Sequence, residues 1–125
     1  MPDFYTHSKF VKELIPDDFD PVNTWRLKSE ECHLVLFYCD WCKYCQDLKQ
    51  AWEELGKRAV FCNVVALNCA TYPEHIEKIR YDMPHLVKTY PTIIVYKGGE
   101  PAEEYRGDRS VGDLVRTCVR VCSAE

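Results

Sequence analysis

The chain has 125 residues, enough for one domain whose core needs no covalent staples. Its formal net charge of -4, with acidic and basic residues mixed along the chain, offers no basic patch for a polyanion, so nucleic acid is not an expected partner. No apolar stretch approaches the roughly 18 residues of a membrane span, so no membrane contact is expected either.

Residues 1–20 scatter Asp3, His7, Lys9, Lys12 and Glu13 through a segment without the apolar run of a signal peptide. The C-terminal Val121-Cys122-Ser123-Ala124-Glu125 contains no retention tetrapeptide. The expectation is a cytoplasmic protein, with the lumen of the endoplasmic reticulum (for a trimmed chain) and the virion of a large DNA virus as alternatives. One domain is expected over residues 1–125, residues 1–10 forming an N-terminal extension.

In chain order, Val11 to Ile15 predicts a short edge strand, and Pro16-Asp17-Asp18 a turn into a helix that ends before Cys32. Residues 33 to 38 are continuously apolar after His33, as in a central strand covered on both faces. Leu48, Ala51, Trp52 and Leu55 then recur at helical spacing, which predicts a helix over 43–57. Val60 to Leu67 reads as a strand, and Pro73 to Lys88 as a helical but irregular stretch that Pro84 must interrupt. Thr92 to Tyr96 predicts a strand, Gly98-Gly99 a hairpin turn, and Glu103 to Tyr105 a shorter returning strand. Ser110 with Asp113 resembles a capping box for a last helix with an apolar face of Val111, Leu114, Val115, Cys118 and Cys122. This alternation implies an α/β fold, a central mixed sheet with helices on both faces.

Eight cysteines invite a disulfide-framework reading, but their positions argue against it. Cys32, Cys62, Cys69, Cys118 and Cys122 fall in or beside regular elements, where an unpaired cysteine packs as a small hydrophobe. They are expected to be free thiols, with Cys118 and Cys122 serving as packing on one helix face.

The run Trp41-Cys42-Lys43-Tyr44-Cys45 lies where the central strand hands over to the first long helix. Residues three apart in a first helical turn share a face, within reach of a disulfide, and face the positive end of the backbone dipole. That field favours thiolate over thiol, and the pattern points to redox chemistry.

Phe37 to Cys45, followed by Tyr90-Pro91-Thr92 and then Tyr105-Arg106-Gly107-Asp108-Arg109, resembles the thioredoxin superfamily, and within it a single catalytic domain of the protein disulfide isomerase group. The resemblance runs from about Val11 to Cys122 and implies a thioredoxin-like fold and a thiol-disulfide oxidoreductase acting on protein cysteines. By the same resemblance, Cys42 is the attacking nucleophile and Cys45 the resolving thiol. Lys43 is a cation beside the nucleophile. Tyr90 and Pro91 form the cis-proline segment against the dithiol, Arg109 is a mobile cation that can approach Cys45, and Trp41 and Tyr44 belong to the client-facing surface. No organic or metal cofactor is implied beyond the Cys42-Cys45 disulfide. The implied partners are protein clients with thiols or disulfides and an upstream reductase, oxidase or glutathione, and the chain is expected to be a monomer.

Two residues depart from the family pattern. Leu36 stands where a buried acid usually accepts the resolving cysteine's proton, so either another base serves or resolution is slow. Cys39 replaces an alanine and makes a Cys-x-x-Cys-x-x-Cys run. Three spaced thiols fall short of a closed zinc site, which leaves a buried small residue or a third exchanging thiol. The Lys43-Tyr44 dipeptide matches neither the isomerase nor the thioredoxin pattern. Potentials in the superfamily run from about -270 to about -120 mV, so the direction of catalysis stays open. A thioredoxin-type disulfide reductase and a redox-sensing or client-binding module with little turnover are the competing readings.

Overall fold

A computed structural model describes residues 3–123; Met1 and Pro2 of the expected extension, and Ala124 and Glu125 of the stretch read for a retention signal, lie outside the described residues. The organising element is β2 (His33–Tyr38), buried along its whole length. It pairs in parallel with β3 (Asn63–Asn68) and antiparallel with β4 (Thr92–Lys97). β1 (Lys12–Glu13) adds a short parallel edge to β3, and β5 (Glu100–Tyr105) an antiparallel edge to β4, giving the order β1-β3-β2-β4-β5.

Among the described residues, three α-helices cover the sheet. α1 (Lys43–Arg58) and α3 (Val111–Cys122) pack on one face, where Leu48, Trp52, Leu55, Leu114 and Cys118 meet Leu34, Leu36 and Val95. α2 (Pro73–Asp82) lies on the other, where Ile76 and Ile79 meet Val35, Phe37, Leu67 and Ile94. The period-two alternation of a strand explains this division, since odd and even residues of β2 serve opposite cores. Trp52 is buried, and its indole N–H donates to the Val65 carbonyl at 3.2 Å, fixing α1 against β3. The mixed sheet with helices on both faces is the predicted fold class.

The turn between β4 and β5 uses Gly98 and Gly99 at φ 63° and 83°, the left-handed region that glycine enters without steric cost. A side chain at Gly99 would also collide with the Leu27 carbonyl, 2.7 Å from the position of its Cβ. α2 ends at Asp82, ahead of Pro84, as the sequence required. Ser110 caps α3 by accepting the Asp113 N–H at 3.3 Å. β3 starts at Asn63, later than expected, and β5 at Glu100, earlier than expected.

Two expectations are corrected. No α-helix follows Pro16: a single 3-10 turn over Pro16–Asp18 gives way to irregular chain. The Asp20 carboxylate accepts the N–H groups of Val22 and Asn23, competing with helical pairing, while buried Phe19 and Leu27 anchor the segment and Leu27 N–H donates to the Gly99 carbonyl. The second correction concerns the cysteines read as free thiols. Cys69 is free and buried, but Cys32 is disulfide-bonded to Cys122, and Cys62 lies in bonding contact with Cys118 and Cys122. The four come together because the starts of β2 and β3 are adjacent in the sheet and the C-terminal half of α3 crosses above them.

Candidate functional site

At the C-terminal end of β2 the chain turns outward through Cys39, Asp40 and Trp41, and Cys42 becomes the N-cap of α1. Its sulfur accepts the Cys45 N–H at 3.4 Å, one of the donors a helix start leaves unpaired, and lies 3.6 Å from the Tyr90 carbonyl. Gln46 holds the turn from the other side, its side-chain amide donating to the Asp40 carbonyl at 3.0 Å. The sulfurs of Cys39, Cys42 and Cys45 lie within 4.8 Å of one another, and all three are thiols in this structure.

Their environments differ. Cys42 is half-buried, whereas Cys39 and Cys45 are each 1% exposed. Burial, aided by the contact with Cys42, pushes the Cys45 thiol well above its ordinary range. Burial pushes Cys39 up to about 11. Among the described residues no fourth ligand joins these three sulfurs, and three do not make a closed metal site.

The other candidates frame this group. The Tyr90–Pro91 peptide is cis, and the Tyr90 carbonyl preceding it is the one that meets the Cys42 sulfur. Trp41 is 72% exposed and presents its ring edge-on to Tyr90 at 6.4 Å. Tyr44 is exposed on the first turn of α1, and the Lys43 ammonium is engaged by Asp47 at 3.4 Å, one turn further along. Arg109 donates to the Pro91 carbonyl at 3.5 Å, which brings it to the cis-proline segment beside the sulfurs.

Sequence reasoning missed two parts of the site. The first is a groove of about 430 Å³ between Trp41, Tyr90 and α2, lined also by Ile76, Glu77 and Arg80, whose guanidinium lies over the Tyr90 ring at 5.2 Å. The second is Glu13. Leu36 is fully buried in the core that also takes Cys45, as its apolar side chain requires, but β1 brings a carboxylate against the same core. Glu13 Oε2 accepts the Tyr5 N–H at 3.0 Å and the Tyr38 hydroxyl, and Tyr38 in turn accepts the Phe4 N–H at 2.9 Å. The buried Tyr5 phenol lies in the field of both Glu13 and Cys45 and is driven upward, first by burial. Burial likewise raises Glu13 to about 7. A strand of two residues gives no periodicity, so only the short local pattern around Glu13 could have signalled it.

A dithiol at a strand-to-helix turn beside a cis-proline, on a five-stranded mixed sheet, defines a class, and comparison agrees: the Thioredoxin family model matches residues 11–120, and the chain belongs to that family. Within it, the chain is similar to single domains of the protein disulfide isomerase group. It is 31% identical over 102 residues to the Thioredoxin domain-containing protein 5 homolog of Drosophila melanogaster, covering 78% of this chain and 22% of that protein. It is 30% identical over 110 residues to Protein disulfide-isomerase A6 of Mus musculus, covering 86% and 23%. Among solved structures, the J-Trx1 fragment of ERdj5 superposes with a TM-score of 0.76 at 27% identity, over 94% of this chain and 54% of that one. The chain thus spans under a quarter of the length of those two curated relatives. At the general level this membership supports thiol-disulfide oxidoreductase activity.

Proposed function

We propose that the chain exchanges thiols and disulfides on protein clients in the manner of a protein disulfide isomerase domain, with Cys42 and Cys45 as the working pair. The observation that carries this reading is the half-buried Cys42 sulfur at the α1 N-terminus, receiving the Cys45 N–H at 3.4 Å with the Cys45 sulfur within 4.8 Å. In the reducing direction the Cys42 thiolate attacks one sulfur of a client disulfide, forming a mixed disulfide and releasing the other client sulfur as a thiolate, which takes up a proton. Cys45, once deprotonated, attacks the Cys42 sulfur, and the client's second sulfur departs. The client gains two electrons, and the chain keeps a Cys42-Cys45 disulfide; the reverse sequence oxidises a client dithiol.

An extended client fits the groove between Trp41, Tyr90 and α2, with the Tyr90 carbonyl beside the sulfur under attack. Arg109, held at the Pro91 carbonyl, stands ready to place positive charge near the departing sulfur. Leu36 and the strongly raised Cys45 thiol favour a second reading in which mixed disulfides are long-lived and the domain holds clients more than it turns them over. Insulin reduction and refolding of scrambled ribonuclease separate the two. Turnover in either assay, lost in Cys42→Ser, supports the oxidoreductase. Negligible turnover with abundant trapped client supports the holding module.

A further inference from the structure

Cys32, Cys62, Cys118 and Cys122 gather at the end of the sheet opposite the dithiol. Cys32 immediately precedes β2 and Cys39 immediately follows it, so with a strand rise of about 3.3 Å per residue the two sulfur groups lie roughly 20 Å apart. No sulfur of one group reaches the other within a chain. Cys118 and Cys122 are four apart on α3 and buried on one face, while Cys32 and Cys62 are half-buried. The Cα separations are 5.6 Å for Cys32 to Cys122, 6.0 Å for Cys62 to Cys118 and 5.8 Å for Cys62 to Cys122, all within the span a disulfide bridges.

A sulfur joins only one disulfide, and these three contacts share Cys62 and Cys122. They therefore describe two exclusive arrangements: Cys32-Cys122 together with Cys62-Cys118, or Cys62-Cys122 alone with Cys32 and Cys118 as thiols. The sulfurs of Cys32, Cys62 and Cys122 lie within 4.8 Å of one another, and Cys118 is in bonding contact with Cys62.

We propose that these four cysteines are a second thiol-disulfide centre. When fully oxidised it holds Cys32-Cys122 and Cys62-Cys118; when half-reduced it holds one disulfide that moves between partners. The proposal is independent of the Cys42-Cys45 reading. Full oxidation removes four electrons and four protons from four thiols, and a low-molecular-weight disulfide such as oxidised glutathione accepts them, each molecule becoming two thiols. The half-reduced centre needs no further reagent. The Cys62 thiolate attacks the Cys122 sulfur, the Cys62-Cys122 bond forms as Cys32-Cys122 breaks, and Cys32 leaves as a thiolate. The electron count of the centre is unchanged. Half-buried Cys32 and Cys62 are the sulfurs through which solution thiols and disulfides exchange with it.

The test uses the full chain equilibrated with oxidised glutathione, unfolded, alkylated and mapped by mass spectrometry. The expected result is cross-linked peptides Cys32-Cys122 and Cys62-Cys118, with only Cys39 and Cys69 alkylated once Cys42 and Cys45 are also oxidised. Alkylation of all four cysteines in that chain overturns the proposal, as does a stoichiometric zinc ion released when these four are alkylated. Cys118→Ser isolates the exchange step: the expected result is a mixture of Cys32-Cys122 and Cys62-Cys122 peptides whose ratio re-equilibrates after brief thiol treatment. A lone Cys32-Cys122 peptide that never redistributes refutes the mobile disulfide.

Discussion

The two ends of β2 hold cysteines in opposite circumstances. At its C-terminal end Cys39, Cys42 and Cys45 sit at the start of α1, remain thiols and leave one sulfur half-buried. At its N-terminal end Cys32 is bonded to Cys122, on the last turn of α3. One physical difference between the ends is helix polarity, which acts on the half-buried sulfur at the start of α1, while burial holds its two neighbours as thiols. The start of a helix presents unpaired N–H groups and a positive field that stabilises a thiolate, whereas the end presents carbonyls and a negative field that disfavours one. A helix start therefore suits a sulfur that attacks and leaves, whereas sulfurs at a helix end exchange more slowly. The same atom is placed for exchange with clients at one end of the strand and for exchange within the chain at the other.

The largest effects expected from breaking this comparison are the loss of one function at a time. Cys42→Ser should abolish insulin reduction, down to the uncatalysed rate, while the peptide map of the opposite end stays that of the parent chain. Retained turnover would transfer the nucleophile's role to another sulfur. Cys32→Ser should do the reverse. The Cys32-Cys122 bond closes a loop with a sequence separation of 90, and removing a bond of that kind costs about 3 kcal/mol. At this chain length that corresponds to a drop in Tm of roughly 10 °C, read by calorimetry under oxidising conditions, with the dithiol potential unaltered.

A medium effect concerns proton removal at the dithiol. The Cys45 thiol is raised by burial, and Leu36 fills the position where the family resemblance implies a buried acid. Resolution of a mixed disulfide should therefore speed up about tenfold per unit of pH across the neutral range, because the attacking thiolate fraction grows in that proportion below the thiol's pKa. Quenched-flow measurement of a trapped client peptide reads this directly, and a rate independent of pH would mean that Cys45 is already ionised when it attacks. Leu36→Glu should shorten the lifetime of the mixed disulfide; an unchanged lifetime would remove the missing acid from the account.

Glu13 makes a related prediction for stability. Its carboxyl is raised by burial to about 7 from an ordinary value near 4.5, so between those values the folded chain holds a proton that the unfolded chain releases. Stability is therefore greatest below about 4.5 as far as this group is concerned, and falls as pH rises through about 7, by an amount on the order of 2 kcal/mol after allowance for partial exposure. Glu13→Gln should flatten the dependence of Tm on pH across that window, while an unchanged slope would assign it to other groups.

Much of this architecture was legible in the sequence because it is local. The apolar run of β2, the spacing of Leu48, Trp52 and Leu55, and Gly98-Gly99 each state a backbone requirement within a few residues. The position of the dithiol followed from the order of strand and helix, and Tyr90-Pro91 was readable through family resemblance. What escaped was what topology alone brings together. Cys62 and Cys118 look like scattered hydrophobes until β3 and α3 are packed, and Glu13 looks like a surface acid until Tyr5 and Tyr38 close over it. The loop after Asp18 failed for a different reason: side-chain acceptance by Asp20 competes locally with helix formation, and composition does not weigh that competition.

The smallest expected effect belongs to Cys39. Its sulfur shares the 4.8 Å neighbourhood of the working pair, so proximity alone would make it a third exchanging thiol. Burial opposes this, holding its pKa up at about 11, so at neutral pH it is a thiol and a poor nucleophile. A disulfide at Cys42, with Cys45 or with a client, offers a sulfur for it to attack, but Cys39 would have to ionise inside the core to do so. Cys39→Ser should therefore leave the potential of the dithiol unchanged, with Tm lowered slightly by a hydroxyl in an apolar site. A titration curve that shifts or gains a second step in this variant would restore Cys39 to the exchange chemistry and would show that distance, not ionisation, decides which sulfurs react at this end of the strand.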